Sequence, residues 1–239
     1  MVRVIEETEA ELSTWRDDSV LGVFNRQPLN VWLNVPETVC SELNDVGIWH
    51  RATDGAFDPA IGRLIEAWGI RKAGRLPSAD VLNKAKRHSG FRHVVFDQES
   101  CTVSRLADVT LDAGAFGKGA ALDRVGQHYQ DESQGGFIDF GGQVAVFGKP
   151  LEGGWPVSIA HPRDRELPIF ELQLTAGSLA VSGGSEQDKW INGKHFSHIL
   201  DPRTGEPVNR SLSVAVWHEL ALAADVIATA LYVMGVEDG

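Results

Sequence analysis

Residues 221–233, Ala-Leu-Ala-Ala-Asp-Val-Ile-Ala-Thr-Ala-Leu-Tyr-Val, carry one charge, Asp225, in the middle of an otherwise apolar run. A helix apolar on every side is a buried helix. An isolated ionised carboxylate in such a place is very costly unless it is paired, metal-bound or neutralised. Thr229 follows four residues later, so its hydroxyl lies on the same helical face. Carboxylate plus hydroxyl is a hard, all-oxygen pair that suits Mg²⁺, with phosphate oxygens and waters completing the octahedron. The competing reading is a buried acid bonded to an arginine or to backbone amides.

A second stretch, Thr110 to Asp123, reads as a strand end, a small-residue turn and a helix start. Such a turn leaves unpaired N–H groups at a helix N-terminus, where an anion is favoured, and Lys118 adds a full charge. Two nucleotide motifs are excluded. The G-x-x-x-x-G-K-[ST] spacing fails, with Gly119 where a hydroxyl residue belongs, and the glycines run in the reverse order for G-x-G-x-x-G. Close packing of helix on strand is the alternative use of these glycines. In the third stretch, Ser197 to Pro207, Asp201-Pro202 and Gly205 are turn chemistry, with His198 just ahead of the loop. An imidazole there could take a proton from a hydroxyl nucleophile, or serve structure alone. His195 and His198 are three apart, which on a strand sends them to opposite faces and argues against a two-histidine metal site. Arg203 reads as a loop ion pair.

H-E-x-x-H, G-x-S-x-G and EF-hand patterns are absent. Asp17 and Asp18 read as a capping site with Ser19. The seven tryptophans read as mostly core, with Trp15, at a helix end among polar residues, the one that offers a stacking face.

The elements that must position these groups follow from pattern and breakers. Helices are predicted over residues 4–16, around Val20–Phe24, after Pro36 through Val39, Leu43 and Val46, over Ala60–Trp68, and from Ser78 to Lys86. Val31–Val35 reads as a strand, residues 93–96 and 101–103 as a hairpin, and Val109–Leu111 as a further strand. After a helix from about Phe116 to Tyr129, strands dominate: Gly136–Phe140, Val144–Phe147, Trp155–Ala160, Ile169–Leu174, Ser178–Ser182 and Ser211–Trp217. A last helix, Leu220–Met234, stops at Gly235. Helices early, strands late and no regular βαβ alternation predict an α+β fold with a mixed or antiparallel sheet core and flanking helices. With 239 residues, 43% hydrophobic and 23% charged, the chain can bury a sizeable core, and no linker divides it.

Lys and Arg total 22 against 33 Asp and Glu, a net charge of −11, which argues against nucleic-acid or anionic-membrane binding but leaves room for one small anion. Two cysteines, Cys40 and Cys101, far apart and in no C-x-x-C, exclude a zinc cage and a disulfide scaffold. No apolar run is long enough to span a membrane, and the start, Met1–Glu7, lacks the long apolar segment of a secretory signal. Four Gly-Gly pairs, at 135–136, 141–142, 153–154 and 183–184, suggest that backbone approaches something closely.

Taken together, these stretches resemble the ApbE family of FAD:protein FMN transferases, in family order. Ser13–Ser19 resembles S-T-[YW]-x-x-D-S, and Asp54–Gly62 resembles G-A-F-D-P-T-V-G. Asp112–Gly119 resembles D-x-G-[GA]-x-[AG]-K-G, and Asp139–Gly142 resembles N-x-G-G. His198–Gly205 resembles H-I-[IL]-D-P-R-T-G, and Ala224–Ala230 resembles A-D-x-[LI]-A-T-A. The resemblance implies an ApbE-like (T-fold-like) architecture and a Mg²⁺-dependent reaction. In it FAD is split at its pyrophosphate, FMN passes to a Thr or Ser hydroxyl of an acceptor flavoprotein subunit, and AMP leaves.

It also implies that Asp225 and Thr229 bind the metal through side chains and Ala115 through its carbonyl. Asp112, Lys118, Ile199 and the Gly55-Ala56-Phe57 turn would contact FAD. Trp15 would stack on the adenine, and His198 would be the base. Where the family has S-G-D-Y-E, this chain has Ser182-Gly183-Gly184-Ser185-Glu186, and the family's opening strand and closing strands have no counterpart. The expectation is thus one ApbE-like domain over residues 1–239, truncated at both ends relative to the family. By the same resemblance it would be periplasmic and associated with the inner membrane. A Mg²⁺-dependent FAD pyrophosphatase and a non-catalytic flavin-binding protein are the alternatives.

Overall fold

Trp155–Ile159 and Val214–His218 alternate less and more exposed side chains, as strands do with one face toward a core and the other toward water, whereas Gln143–Val146 and Ser178–Ala180 are buried on both faces. The structure, a computed structural model, describes residues 1–129, 135–149, 151–161, 164–184, 187–210 and 212–239. The fold is α+β, with every strand pair among the described residues antiparallel. The chain forms two compact units, one of residues 1–6, 115–184 and 210–239, the other of residues 7–114 and 185–209.

In the first unit a four-stranded sheet runs in the order Ser213–His218, Gly177–Gly183, Gln143–Phe147, Gly136–Asp139. A separate ribbon pairs Trp155–His161 with Asp164–Leu174. The Ala221–Asp238 helix is buried along most of its length, as its all-round apolar sequence requires, and regular geometry breaks at Gly235, φ 83°. Ala224 and Ala228 pack on Ala180 of the sheet, where small side chains let helix and strand come close.

The Gly117–His128 helix lies alongside that buried helix. Gly119 makes the approach possible, because a methyl group there would overlap the Ala221 carbonyl and the Leu222 backbone. The glycine thus serves close packing of helix on helix rather than helix on strand. Asp123, one turn further on, accepts from the main-chain N–H of Ala221 (2.6 Å) and Leu222 (2.8 Å), so a neighbouring helix supplies the cap that Leu220 cannot.

The second unit holds the helices Val20–Arg26, Glu37–Ala52, Gly62–Trp68 and Ala79–Arg87. Its three-stranded sheet is ordered Leu33–Asn34, Thr102–Arg105, Val94–Asp97. Ser19 caps the first of those helices by accepting from Gly22 N–H, while Asp17 and Asp18 pair with Arg26 and Arg16. Leu64, Ala67, Trp68, Ala85 and Leu200 make a core, with Phe196 against it. The first helix of the chain, Val2–Leu12, is four residues shorter at its C-terminal end than predicted.

Three expectations change. Val109–Leu111 is buried but is not a strand. Its polar backbone is met by side chains and loops instead: Arg105 donates to the Val109 carbonyl, Asn25 takes both main-chain groups of Leu111, and Gly62 N–H reaches the Thr110 carbonyl. Cys40 and Cys101 form a disulfide with Cα atoms 5.4 Å apart, because the Glu37–Ala52 helix brings Cys40 to the turn of the hairpin; separation in sequence was no measure of distance. The tryptophans are not mostly core: Trp15, Trp32, Trp190 and Trp217 are exposed, and Trp68 is the deeply buried one, donating to the Gly205 carbonyl. The start of the strand predicted from Ser211 lies outside the described residues, and the strand itself is Ser213–His218. No helix of the described residues is long and apolar enough to cross a membrane.

Gly119→Ala is expected to lower stability by about 3 kcal/mol, since two backbones must part to admit one methyl. Gly126→Ala, in the same helix with only the Phe147 side chain 4.0 Å from the added carbon, is expected to be neutral or to stabilise by up to about 1 kcal/mol. Urea denaturation of the two variants checks both, and equal effects would contradict the packing argument.

Candidate active site

In the first unit Asp225 is 5% exposed, in the interior its sequence dictates. It is not alone there. Lys118 Nζ donates to both carboxylate oxygens, at 3.1 and 3.2 Å, and Gly119 N–H points at one of them from 3.4 Å. The partner is thus a lysine and an amide, not an arginine. Burial pushes the Asp225 carboxyl above its usual range, and Lys118 and the Gly119 amide pull it back only in part. The Lys118 side chain is 37% exposed and that of Asp225 7%, so the pair joins a buried carboxylate to a partly solvated ammonium.

Thr229 is half-buried, and its hydroxyl lies 3.4 Å from that of Ser182, on the neighbouring strand. Ala115 ends the 3₁₀ turn Ala113–Ala115, immediately before the helix that carries Lys118. Carboxylate, hydroxyl and carbonyl are all hard oxygens, and the carboxylate is buried with the Lys118 ammonium beside it. The residues present fit a magnesium ion by the chemistry of the donor set.

In the second unit Asp112 is 8% exposed and accepts from Gly114 N–H at 2.8 Å. Its other oxygen is paired with Arg71, which also donates to Thr14 Oγ1 at 2.5 Å. The same guanidinium stands over the Trp15 ring, 4.7 Å from its centroid, while Trp15 remains 74% exposed. Arg71 thus joins two predicted site residues that lie far apart in sequence.

The Gly55-Ala56-Phe57 turn is tied down on both sides. Gly55 takes a positive φ of 71°, Ala56 and Phe57 are buried, and Thr53 accepts from Phe57 N–H through its hydroxyl and from Ala56 N–H through its carbonyl. His50 Nδ1 is 3.0 Å from the Phe57 carbonyl and 3.5 Å from Asp58, whose carboxyl burial pushes up.

His198 bonds Asp188 through Nδ1 at 2.7 Å, and Ile199 follows with its N–H on Ser197 Oγ at 3.1 Å. His195 does not point away from His198. Its Nε2 lies 3.0 Å from the same aspartate, because the strand ends at Phe196 and the alternation of faces does not extend to residue 198. Arg203 pairs with Asp201 at 3.0 Å, the loop ion pair its position predicted.

The sequence reading missed Arg71, Asp123 and Asp188. None belongs to a spaced motif: Arg71 sits in a basic turn and Asp188 ahead of a short hairpin, so nothing in their local pattern marked them.

The family model of the ApbE family matches residues 1–239 of this chain. The chain belongs to the ApbE family. Among its relatives, the FAD:protein FMN transferase of Vibrio cholerae is 28% identical over 246 residues, covering 99% of this chain and 73% of that protein. The FAD:protein FMN transferase of Escherichia coli K12 is 30% identical over 237 residues, with 95% of this chain and 67% of that protein covered. The crystal structure of the ApbE protein from Thermotoga maritima superposes with a TM-score of 0.92 at 33% identity, covering 99% of this chain and 78% of that one. The apo flavinyl transferase ApbE of Pseudomonas stutzeri gives 0.86 at 26% identity, with 99% and 75% covered.

Lys118→Met would leave the Asp225 carboxylate without its ammonium. The pair is buried at one end and part-exposed at the other, so a loss of about 2 kcal/mol is expected, below the range for fully buried pairs. Millimolar Mg²⁺ should raise the thermal midpoint of this variant more than that of the parent protein. Equal shifts in the two would mean that the ion does not settle at Asp225.

Proposed function

We propose that this ApbE-family chain transfers FMN from FAD to a Thr or Ser hydroxyl of an acceptor protein, with AMP as the leaving group. The observation that carries the reading is the buried Asp225 carboxylate, facing Lys118 at 3.1 Å on the two stretches that resemble the family's metal and phosphate motifs. The relatives named as FAD:protein FMN transferases support it.

In this reading Asp225, Thr229 and the Ala115 carbonyl hold a magnesium ion, which when bound supplies positive charge to the oxygens of the FAD diphosphate. Lys118 then exchanges its carboxylate partner for a phosphate oxygen. Asp112, Ile199 and the Gly55-Ala56-Phe57 turn contact FAD, and Trp15 offers its ring to the adenine. His198 takes the proton of the acceptor hydroxyl, whose oxygen bonds the FMN phosphorus. The diphosphate P–O bond breaks, and its electron pair leaves on the AMP oxygen. The overall negative charge of the chain is compatible with an anionic substrate, because the attraction is local to these groups.

Incubation of the protein with FAD, Mg²⁺ and an acceptor domain, followed by intact mass measurement, should show a flavin adduct on the acceptor. Free FMN without adduct would mean hydrolysis, and FAD bound without any product would mean a flavin-binding protein. Asp225→Asn is expected to abolish Mg²⁺-dependent turnover while circular dichroism shows the fold intact; full activity would overturn the assignment. His198→Ala should slow transfer by about 10²- to 10⁴-fold, the span of a lost general base.

A further inference from the structure

Asp188 immediately precedes a short ribbon in which Lys189 pairs with Phe196, Trp190 with His195 and Ile191 with Lys194. Its two-residue turn, Asn192-Gly193, has φ of 51° and 74°, the positive values that a tight hairpin turn of this hand needs. That turn fixes the register. Asp188 therefore emerges from the ribbon beside Ser197 and His198, although ten residues separate it from His198 along the chain.

The contacts made there are directional. One carboxylate oxygen of Asp188 accepts from the His198 main-chain N–H at 2.9 Å and meets ring Nδ1 of the same residue at 2.7 Å. The other oxygen lies 3.0 Å from His195 Nε2. The Asp188 side chain is 6% exposed, and that of His195 is 45% exposed, its ring edge-on to Trp190. An ionised carboxylate accepts and cannot donate, so a ring nitrogen bonded to it must carry the proton. Backbone and ring of His198 are gripped through a single oxygen, which restricts rotation of the imidazole as well as its tautomer.

We propose that Asp188 is a positioning residue for His198. It holds the proton on Nδ1, which makes Nε2 the nitrogen that accepts the proton of the acceptor hydroxyl. This rests on the reading of His198 as the base of FMN transfer. The departure of this chain from the family pattern at Ser182–Glu186 lies just upstream, with Ser185 and Glu186 outside the described residues. Asp188 lies outside the family motifs that this chain carries. His195, on its second oxygen, is a brace for Asp188 rather than a second base.

The test begins with the parent protein labelled with ¹⁵N-histidine, without FAD or acceptor. Long-range proton–nitrogen NMR at pH 8 should show His198 protonated on Nδ1 and not on Nε2. The opposite tautomer overturns the proposal, whether or not the protein transfers FMN. Asp188→Ala should move His198 toward the Nε2-protonated form. It should also lower kcat for transfer by about 10- to 100-fold, with KM for FAD within about twofold of the parent value. His195→Gln should leave the tautomer unchanged.

A merely structural Asp188 would leave the His198 tautomer as it was in Asp188→Ala, or would shift KM rather than kcat, and either result overturns the proposal. If Asp188→Ala does not fold, the tautomer in the parent protein decides alone. If the parent protein transfers no FMN, the earlier reading fails while the tautomer still decides whether Asp188 orients the ring.

Discussion

A carboxylate inside an apolar helix constrains everything packed around it. Asp225 cannot stay charged in that position without positive charge close by, and the helix around it carries no cationic side chain. That charge comes from Gly117–His128. Lys118 brings the charge, Gly119 brings both an amide and the missing side chain that lets the backbones meet, and Asp123 closes the far helix's open N-terminus. These three requirements fall within six residues. Widening the helix contact by one methyl would disturb the ion pair and the cap together, so stability and the candidate metal chemistry depend on one interface.

The second unit applies the same logic to irregular backbone. Arg105 is 6% exposed and spends its guanidinium on the carbonyls of Gln27 and Val109, segments that no strand pairing would satisfy. Asp58 accepts from the main-chain N–H of Ala60 and Phe91, and Asp112 holds its own turn while paired with Arg71. Buried polar groups of this kind fix loop shape closely, because each lost bond leaves an unsatisfied partner in the interior. The candidate binding residues stand on these tethered loops and not on free ones, which suits side chains that must be in place before a ligand arrives.

The sequence made the large elements legible where period and breakers agreed. The buried helix announced itself by composition, and Ser19 and Ser78 by capping chemistry. Asp225 was legible because a lone charge among apolar neighbours demands an explanation. The identity of its partner was not, since Lys118 is 107 residues away and nothing local fixes that distance. Val109–Leu111 has strand composition but bonds to Asn25 and Arg105, so propensity yielded to tertiary contacts. His195 and His198 meet the same aspartate because the two-residue period ends with the strand at Phe196. Arg71 and Asp188 carry no motif, and only the folded chain shows what they hold.

Cys40 and Cys101 close a loop of 61 residues within the second unit. On the chain-entropy argument, such a cross-link removes about 4 kcal/mol of freedom from the unfolded ensemble, a large share of what keeps a domain of this size folded. Thiol-reducing surroundings would withdraw that contribution, and oxidising ones would secure it. The strand pair and helix it staples, and with them the turn at Gly55, thus owe part of their permanence to the redox state of the compartment in which the chain resides.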